Sequence, residues 1–505
     1  MTSDFFTKSR KRKSNSSEIN SNDGKKKKID NGDARFKKGN SSKKSKDEDS
    51  LNSEEISSDD LGFENESDQE NLSDEGENEK RETPAEKRLR LAKKYIETIK
   101  EGLDDVDFDA AEIDKDLIAE RLQKDAREQT GRTYRTIADT FSFPIISPII
   151  KSGRQELSIT CVACDESGQF FYTGSKDHSI IKWGVKTGNK VYSIVGGRKE
   201  IKKFDGHTDQ ILALAVSSDG NYMASGGRDK KINIWSIKEN KLLKCFMQHK
   251  DSVTGLVFRK GNNQLYSCSL DRTIKLWNID EMCYIETLFG HQDQVMAIDT
   301  LYRERCVTVG ARDRTCRLWK IIEESQLVFR GVTKEATGDN GQVFKEGSLD
   351  VVAMIDEDNY LSGGDSGAIC LWNLNKKKPV FVNQLSHGLQ EFESESEGSI
   401  KSPHWITALA TLRYSDLFAS GSWDGKIRLW KLTNNIRSFT LLTEISMIGF
   451  VNALEFMTTT VDNKTYILAG IGQEHKLGRW KRIKKARNGW QLIELPLKTQ
   501  SQNGI

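Results

Sequence analysis

The sequence predicts an all-β fold, a seven-bladed β-propeller preceded by a short helical region and a disordered charged tail, and three repeated features predict it. A short apolar run ends in tryptophan seven times, an aspartate stands six residues before five of these tryptophans, and a histidine stands 28 residues before three consecutive ones. The central repeats follow one another every 42 residues, within the roughly 40–45 residues of a WD-repeat blade, which is a four-stranded sheet. The tryptophans are Trp183, Trp235, Trp277, Trp319, Trp372, Trp430 and Trp480.

The repeated aspartate indicates a hydrogen-bonded network in each blade, because a carboxylate in a buried turn needs donors. We expect the histidine to donate to the aspartate, and a hydroxyl ten residues before the tryptophan and the indole N–H to extend the network. Complete sets occur in blades two and three: His207, Ser225, Asp229 and Trp235, then His249, Ser267, Asp271 and Trp277. Blade four has Val309 at the hydroxyl position, and His404 is expected to complete blade six through a shorter loop. Two residues replace the aspartate in blades five and seven: Ser366 and Glu474.

The repeats are predicted to form one propeller domain over residues 141–498. In blade two, Asp219-Gly220 and Gly226-Gly227 separate short alternating strands, as expected of turn residues. Three connections carry insertions: 195–206, 330–346 and 384–402. A closed ring leaves only short, protected strand edges. Two segments of the sequence could supply the fourth strand that closes it. Either the last repeat carries its own fourth strand near Trp490 to Leu495, or the stretch Phe141 to Ile150 supplies one from the front.

Residues 1–80 are predicted to be a disordered tail. Residues 1–46 carry fifteen Lys or Arg against five acids, and residues 47–79 carry fifteen acids and no base. Neither block has enough apolar surface to offset the entropy of ordering. The basic block contains two clusters with the spacing of a two-part nuclear localisation signal, and the alternative is a solvated tail that binds polyanions loosely. The cluster residues are Lys11, Arg12, Lys13, Lys25, Lys26, Lys27 and Lys28.

Residues 81–140 are predicted to be a helical segment. Thr83-Pro84-Ala85-Glu86 has the pattern of a capping box with proline at the first helical position. A narrow apolar stripe follows as far as Gly102, and a second helix is predicted from about Ala110 to Glu128. Helices of this length are marginal alone in water, so they are expected either to pack on the propeller or to meet a partner.

The sequence argues against several classes of protein. It has no signal peptide and no apolar run near 18 residues, so a soluble, non-secreted protein that does not enter a membrane is expected. Cys161 and Cys164 have a ligand spacing but no second pair at metal-site distance, so no metal is expected. Phosphate-cradling loops and catalytic constellations are also missing. We therefore expect neither an enzyme, nor a cofactor, nor a small-molecule substrate, but a protein that works through its surfaces.

Charge suggests which surfaces bind. The residues that flank the turn aspartates should project at one rim of the ring, and many are basic, which favours a polyanion or an acidic partner there. These top-rim residues are Lys176, Arg228, Lys230, Arg272, Arg312 and Arg314. A second basic cluster runs through the last repeat and comprises Lys476, Arg479, Lys481, Arg482, Lys484, Lys485 and Arg487. Binding of nucleic-acid phosphates by such groups would depend strongly on salt.

Several strings that a propeller does not require resemble the 55-kDa WD-repeat protein family of the U3 small nucleolar ribonucleoprotein, and the resemblance covers about residues 83–490. They include Leu157–Cys161, Ser179–Trp183, Glu286–Asp293, Glu323–Phe329 and Gly472–Trp480. The helical stretch resembles the family too, in Leu89–Lys93 and Glu128–Arg132. The charged tail has no matching string, although its basic-then-acidic character suits the family.

The resemblance implies a non-catalytic protein of the nucleus and nucleolus that binds the box B/C region of the U3 small nucleolar RNA. In the family, the RNA is bound together with a small kink-turn-binding protein. Other small-subunit processome proteins are the further implied partners. The implied role is pre-rRNA processing and maturation of the 18S rRNA. The alternative is a nuclear WD-repeat docking scaffold, either a chromatin protein or a ubiquitin-ligase substrate adaptor, that does not bind RNA directly. Among the phosphate contacts, Arg312 and Arg314 are expected first, and Arg228 and Arg272 next.

Overall fold

A computed structural model defines residues 90, 93, 121–122, 133–143, 150–197, 204–331, 336–337, 343–344, 347–394, 398–460 and 462–498. The predicted localisation signal, the acidic block and most of the two predicted helices lie outside these residues. The four defined residues of the helices, Arg90, Lys93, Arg121 and Leu122, are in α-helical conformation.

Seven four-stranded antiparallel sheets form the blades, which confirms the predicted propeller. The first strand of the ring, β1 (Ile150–Arg154), precedes blade one. Blade one consists of β2 (Ile159–Cys164), β3 (Phe170–Ser175), β4 (Ile180–Gly184) and β5 (Lys190–Ile194). Blade two consists of β6 (Ile211–Val216), β7 (Tyr222–Gly227), β8 (Ile232–Ser236) and β9 (Lys241–Phe246). Blade three consists of β10 (Val253–Phe258), β11 (Gln264–Ser269), β12 (Thr273–Asn278) and β13 (Cys283–Phe289).

The later blades are separated by two small hairpins. Blade four consists of β14 (Val295–Thr300), β15 (Arg305–Gly310), β16 (Thr315–Lys320) and β17 (Ser325–Arg330), followed by the short pair β18 (Ala336–Thr337) and β19 (Val343–Phe344). Blade five consists of β20 (Leu349–Met354), β21 (Asn359–Gly364), β22 (Ile369–Asn373) and β23 (Phe381–Asn383), followed by the hairpin β24 (Leu389–Ser394) and β25 (Gly398–Pro403). Blade six consists of β26 (Ala408–Thr411), β27 (Leu417–Gly421), β28 (Lys426–Leu432) and β29 (Phe439–Ser446). Blade seven contains β30 (Phe450–Thr458), β31 (Thr465–Gly472) and β32 (Gly489–Glu494).

Burial falls from the inner to the outer strand of a blade. In blade two, β6 is almost wholly buried, whereas most residues of the outer strand β9 are exposed or half-buried. The strand β6 reads as a continuous apolar run because neighbouring blades cover both of its faces. Each inner strand contacts the inner strand of the next blade, and β30 contacts β2, so the core continues around the ring.

The front of the chain closes the ring. The strand β1 pairs antiparallel with β32, and the sheet order of blade seven is β1, β32, β31 and β30. The region near Trp490 is therefore the third strand of blade seven, and the alternative in which it is the fourth is wrong. The outermost strand of blade seven, β1, precedes blade one in the chain. The sheet of blade seven therefore joins the two ends of the domain.

Side chains near the start of the inner strands also tie neighbouring blades together. Thr160 Oγ1 donates to Ile211 O at 2.5 Å, and Thr254 Oγ1 donates to Val295 O at 2.6 Å. Asn452 Nδ2 of blade seven donates to Ile159 O of blade one at 2.8 Å, across the closure itself. These bonds satisfy buried carbonyl groups that a radial arrangement would otherwise leave unpaired.

Blade seven departs from the predicted repeat. Trp480, which the spacing assigns to the third strand, lies in the connection between β31 and β32, and its side chain is 56 % exposed. The buried strand tryptophan of this blade is Trp490, at 1 % exposure. The assignment of Trp480 to a strand is wrong because the connection before β32 is long, which moves the core tryptophan ten residues further along the chain.

Part of the predicted helical segment packs on the propeller. Ile137 N–H and Ala138 N–H donate to Asp416 Oδ1 at 2.7 and 2.9 Å, at the start of the short 3-10 helix Ala138–Thr140. Phe141 is buried in the core of blades six and seven. Of the predicted helical segment 81–140, the stretch 133–140 contains an isolated β-bridge at Arg135 and the 3-10 helix but no α-helix. The carboxylate of Asp416 accepts hydrogen bonds from two of its backbone N–H groups.

Candidate nucleic-acid interface

Four blades contain a complete network of histidine, hydroxyl, aspartate and tryptophan. In blade two, His207 Nδ1 lies 3.1 Å from Asp229 Oδ1, His207 Nε2 lies 2.8 Å from Ser225 Oγ, and Trp235 Nε1 donates to Ser225 Oγ at 2.8 Å. In blade three, the corresponding distances from His249 to Asp271 and to Ser267 are 2.9 and 2.8 Å, and Trp277 donates to Ser267 at 2.9 Å. Both predicted tetrads are present.

The proton positions in each network follow from the chemistry of its two ends. A carboxylate only accepts and an indole N–H only donates. Nδ1 of His207 therefore donates to Asp229, and the Ser225 hydroxyl accepts from Trp235 and donates to Nε2. Burial alone would raise the pKa of Asp229, but the hydrogen bond from His207 and the neighbouring N–H groups hold that pKa below its usual value. Each of these histidines is therefore engaged at both nitrogens and has a structural role.

Blade four builds its network from a residue that the spacing missed. Thr308 Oγ1 lies 2.8 Å from His291 Nε2 and accepts from Trp319 Nε1 at 2.8 Å. The expected absence of a hydroxyl, read from Val309, is wrong. The turn to Asp313 is one residue longer here, so Thr308, rather than Val309, stands at the register position of Ser225 in blade two.

Blade six uses His387 in place of His404. His387 Nδ1 lies 2.8 Å from Asp424 Oδ2, and its Nε2 lies 2.8 Å from Ser420 Oγ. The expectation that His404 completes this blade is wrong, because the hairpin of β24 and β25 is inserted after the network histidine. His404 instead contacts Gly388 O through Nδ1 at 3.3 Å and packs on the ring of Trp423 at 4.4 Å.

Blade one replaces the histidine with glutamine. Gln155 is 5 % exposed, and its Oε1 accepts from Thr173 Oγ1 at 3.2 Å. Its Nε2 donates to Ser179 Oγ at 3.3 Å, and Ser179 Oγ donates to Asp177 at 2.5 Å. The signal was in the sequence, because Gln155 stands 28 residues before Trp183, as the histidines stand before their tryptophans.

The turns that hold these aspartates lie together on one side of the ring, which we call the upper face. It carries the connection between the second and third strands of every blade. The residue after the turn aspartate has a positive φ in four blades: His178 at 68°, Lys230 at 66°, Arg272 at 67° and Arg314 at 51°. Blades five and six have Gly367 and Gly425 there, at 72° and 82°. A positive φ is uncommon for residues other than glycine. The turn therefore imposes this backbone conformation on Lys230, Arg272 and Arg314 and sets the direction of their side chains.

Five of the six predicted top-rim residues are exposed on the upper face: Arg228, Lys230, Arg272, Arg312 and Arg314. Lys176 is not, and its side chain is 2 % exposed. It lies 3.5 Å from Glu474 Oε2 and donates to Gly478 O at 3.2 Å. The expectation that Lys176 projects from the rim is wrong, because the long connection of blade seven folds over it.

That connection, residues 473–488, carries the second predicted cluster, and we call it the basic loop. It contains seven basic residues and a single acid, Glu474. Glu474 lies 3.2 Å from Arg479 and 4.0 Å from Arg482, in addition to Lys176. One carboxylate therefore partly neutralises three cations. The others that are exposed on the basic loop are Lys484, Lys485 and Arg487.

Two lysines of the basic loop point elsewhere. Burial lowers the pKa of Lys476, which lies near Asp350 of blade five, Cys161 of blade one and Cys268 of blade three. These electrostatic interactions with three blades indicate that the half-buried Lys476 side chain points towards the centre of the ring. Lys481 lies 3.3 Å from the centre of the Trp423 ring, and burial lowers its pKa to about 8. Neither is a freely solvated surface cation.

A cleft of ≈ 340 Å³ opens between the basic loop and the start of blade one. Its charged lining includes two carboxylates, Glu156 and Glu474, and four arginines, Arg154, Arg479, Arg482 and Arg487. Arg154 belongs to β1, so the closure of the ring brings it to the basic loop from 325 residues away. No pattern in the sequence pointed to this contribution of Arg154. A polar cleft lined by four arginines can hold the phosphates of a polyanion.

Cys161 and Cys164 do not converge. They lie three residues apart on β2, so their side chains point to opposite faces of the strand, and they belong to different hydrophobic clusters. Within the defined ranges, no group of three or more His, Cys, Asp or Glu side chains is placed to hold a metal ion. Nor does any helix among those residues have the length and apolar character to span a bilayer.

Comparison with known proteins gives consistent results. A model of the WD domain, G-beta repeat, matches residues 150–184, 198–236, 240–278, 282–320 and 395–431. These segments cover most strands of blades one to four and six. Of the strands in blades five and seven, only β1, the outermost strand of blade seven, lies in a matched segment. In these two blades Ser366 replaces the aspartate and the core tryptophan is Trp490, respectively.

The relatives are more specific. The human U3 small nucleolar RNA-interacting protein 2 is 43% identical over 82% of this chain and 82% of its own length. Ribosomal RNA-processing protein 9 of Saccharomyces cerevisiae is 34% identical over 84% of this chain and 91% of its own. The solved structure titled "Structure of U3-55K" is 43% identical, with a TM-score of 0.62, and covers 68% of this chain and 98% of that one. This chain belongs to the family of U3 small nucleolar RNA-interacting protein 2.

Proposed function

We propose that this protein is a non-catalytic, RNA- and protein-binding component of the U3 small nucleolar ribonucleoprotein and the small-subunit processome, acting in pre-rRNA processing and 18S rRNA maturation. One observation carries the proposal. In a chain whose relatives are named for the U3 RNA or for ribosomal RNA processing, the upper face presents an arginine-lined cleft beside a loop with seven basic residues and one acid.

The charge of the basic loop favours an anionic partner. Like charges held close together repel, and Glu474 is the loop's only carboxylate. Phosphates that replace solvent ions around these groups release counterions and favour binding. The loop therefore supplies affinity for an RNA backbone and positions the RNA, whereas contacts to unpaired bases or to a bound protein supply selectivity.

The RNA target that we propose is the box B/C region of the U3 RNA, bound together with a kink-turn-binding protein. The exposed rim arginines of blades two to four lie on the same upper face as the basic loop. One face can thus contact RNA at several points around the ring. The remaining surface is available to other processome proteins, and the protein is expected in the nucleus and nucleolus.

Crosslinking in nuclear extract tests the proposal. The full-length protein is crosslinked to RNA, the RNA positions are mapped by sequencing, and the crosslinked peptides are identified. We expect reads on the box B/C part of the U3 RNA and peptides from the basic loop and the rim. Reads scattered over abundant RNAs, or no reads at all, would overturn the proposal and favour a docking scaffold whose basic face meets an acidic protein.

A further inference from the structure

Trp480 is the most exposed tryptophan in the described propeller. Its side chain is 56 % exposed, whereas the strand tryptophans Trp183 and Trp490 are 6 % and 1 % exposed. A tryptophan is large and is usually well buried. An indole that is kept open to solvent in a highly charged loop contributes little to the core, and exposed aromatic rings are frequent at binding surfaces.

The indole is held in place by its neighbours. The Trp480 ring lies 5.8 Å from the ring of Trp405 and 4.9 Å from the ring of His475. A Cβ on Gly478 would lie 1.9 Å from Trp480 Cζ3, so glycine allows the backbone to pack against the ring. Burial and the nearby Lys476 lower the pKa of His475 to about 3, so His475 is a neutral ring at physiological pH. The indole is thus oriented before any ligand arrives.

Exposed cations flank Trp480 in the chain. Arg479 precedes it in the chain, and Arg482 follows two residues later, with side chains 68% and 61% exposed. Both line the arginine cleft. An exposed aromatic face beside basic groups is the combination that binds unpaired nucleotides, because the base stacks on the ring while the cations hold the phosphates.

We infer that Trp480 is a stacking platform for one unpaired base of the bound RNA, with Arg479 and Arg482 holding the adjacent phosphates. The inference rests on the proposed function and adds a specificity-determining residue to it. The partner is a single-stranded or bulged nucleotide, because a base inside a duplex is already stacked on both faces and cannot reach the indole.

The test measures the affinity of the full chain for a transcript of the box B/C region, in the presence of the kink-turn-binding protein, at several salt concentrations. Trp480→Ala should weaken binding by about 5- to 100-fold, the effect of losing one base–aromatic stack. The slope of log K against log salt should not change, since no phosphate contact is removed. Trp480→Phe retains an aromatic face and should recover most of the affinity. Ile322→Ala is the matched control, because Ile322 is 74% exposed in a turn of blade four on the opposite face.

A second set of RNAs identifies the stacked nucleotide. Single unpaired nucleotides of the transcript are replaced one at a time by abasic residues. One abasic RNA should bind wild type and Trp480→Ala equally, because the base that stacks is already missing. If Trp480→Ala bound every RNA with an affinity within about twofold of that of the wild type, the inference would be overturned. This would hold even if the substitution weakened the binding of a partner protein, because the inference concerns the RNA. Failure of the wild-type protein to bind any of these RNAs would instead refute the proposed function.

Discussion

His387 Nδ1 lies 2.8 Å from Asp424 Oδ2, although the two residues are 37 positions apart in the chain. In blades two to four the same contact spans 22 positions. The additional fifteen residues include the hairpin of β24 and β25, which leaves the ring after His387 and returns to it before blade six. The network is kept while the chain between its members is lengthened.

This relationship predicts which histidine stabilises blade six. His387→Ala removes a group that is hydrogen-bonded at both nitrogens and leaves Asp424 and Ser420 short of a partner, which costs about 1–3 kcal/mol of the free energy of unfolding. His404→Ala removes a half-buried ring and should cost less. Urea unfolding of both variants measures the difference. A larger loss for His404→Ala would contradict the assignment.

Blade four offers a second test of the networks. Thr308→Val keeps the shape of the side chain but removes the hydroxyl that joins His291 to Trp319, so we expect a loss of about 1–3 kcal/mol. Thr308→Ser keeps the hydroxyl and should retain most of the stability. The measurement is the free energy of unfolding of the two variants. Equal losses would show that the methyl group of Thr308, rather than its hydroxyl, matters.

The network aspartates predict how stability depends on pH. Burial alone would raise the pKa of Asp271, but hydrogen bonds from His249 and Thr273 hold that pKa well below its ordinary value. A folded-state pKa that is lower than the unfolded value contributes stability that is complete above the unfolded pKa and is lost as the pH falls through the folded value. The difference in unfolding free energy between wild type and Asp271→Asn should therefore be constant from about pH 7 to 5 and should shrink below about pH 4.

Thermal unfolding at a series of pH values checks this dependence. Asp205→Asn, which changes an exposed carboxylate before blade two, serves as the control and should differ little from wild type at any pH. A difference between wild type and Asp271→Asn that grew as the pH fell would contradict the sign.

Closure of the ring predicts a steric effect at Gly153. A Cβ there would lie 2.3 Å from Trp490 Nε1, so Gly153→Val overpacks the contact between β1 and β32 and should cost about 1–3 kcal/mol. Ser152→Val, at the exposed neighbouring position of the same strand, controls for the preference of valine for strands and should be close to neutral. If both variants were equally stable, β1 would not be the closing strand.

The upper face predicts a salt-dependent loss of RNA binding. Lys484→Gln/Lys485→Gln and Arg312→Gln/Arg314→Gln should each weaken binding and reduce the slope of log K against log salt by roughly 1 for each phosphate contact removed. Lys377→Gln/Lys378→Gln removes two exposed charges from the turn between β22 and β23, on the opposite face, and should change neither. Filter binding at several salt concentrations gives the slopes. An equal effect of all three double variants would indicate attraction by net charge alone.

The repeat pattern alone determined the fold class, because strand alternation and blade spacing are local properties written in the order of residues. It also determined the tetrads of blades two and three, where His207 and His249 stand at the regular distance from their aspartates. The upper-face position of Arg228, Arg272, Arg312 and Arg314 followed in the same way, since each flanks a turn aspartate. Where the repeats keep their regular length, the spacing along the chain was sufficient to predict which residues meet.

Only the tertiary structure decided the rest, because insertions break the link between distance along the chain and distance in space. It selected His387 over His404 through an inserted hairpin, Trp490 over Trp480 through a long connection, and Thr308 over Val309 through strand register. It also buried Lys176 against Glu474 and brought Arg154 to the basic loop through the closing strand. A hydrogen bond or an ion pair depends on where two atoms meet, and for residues separated by an insertion or by the whole ring that place is set by the packing of the blades.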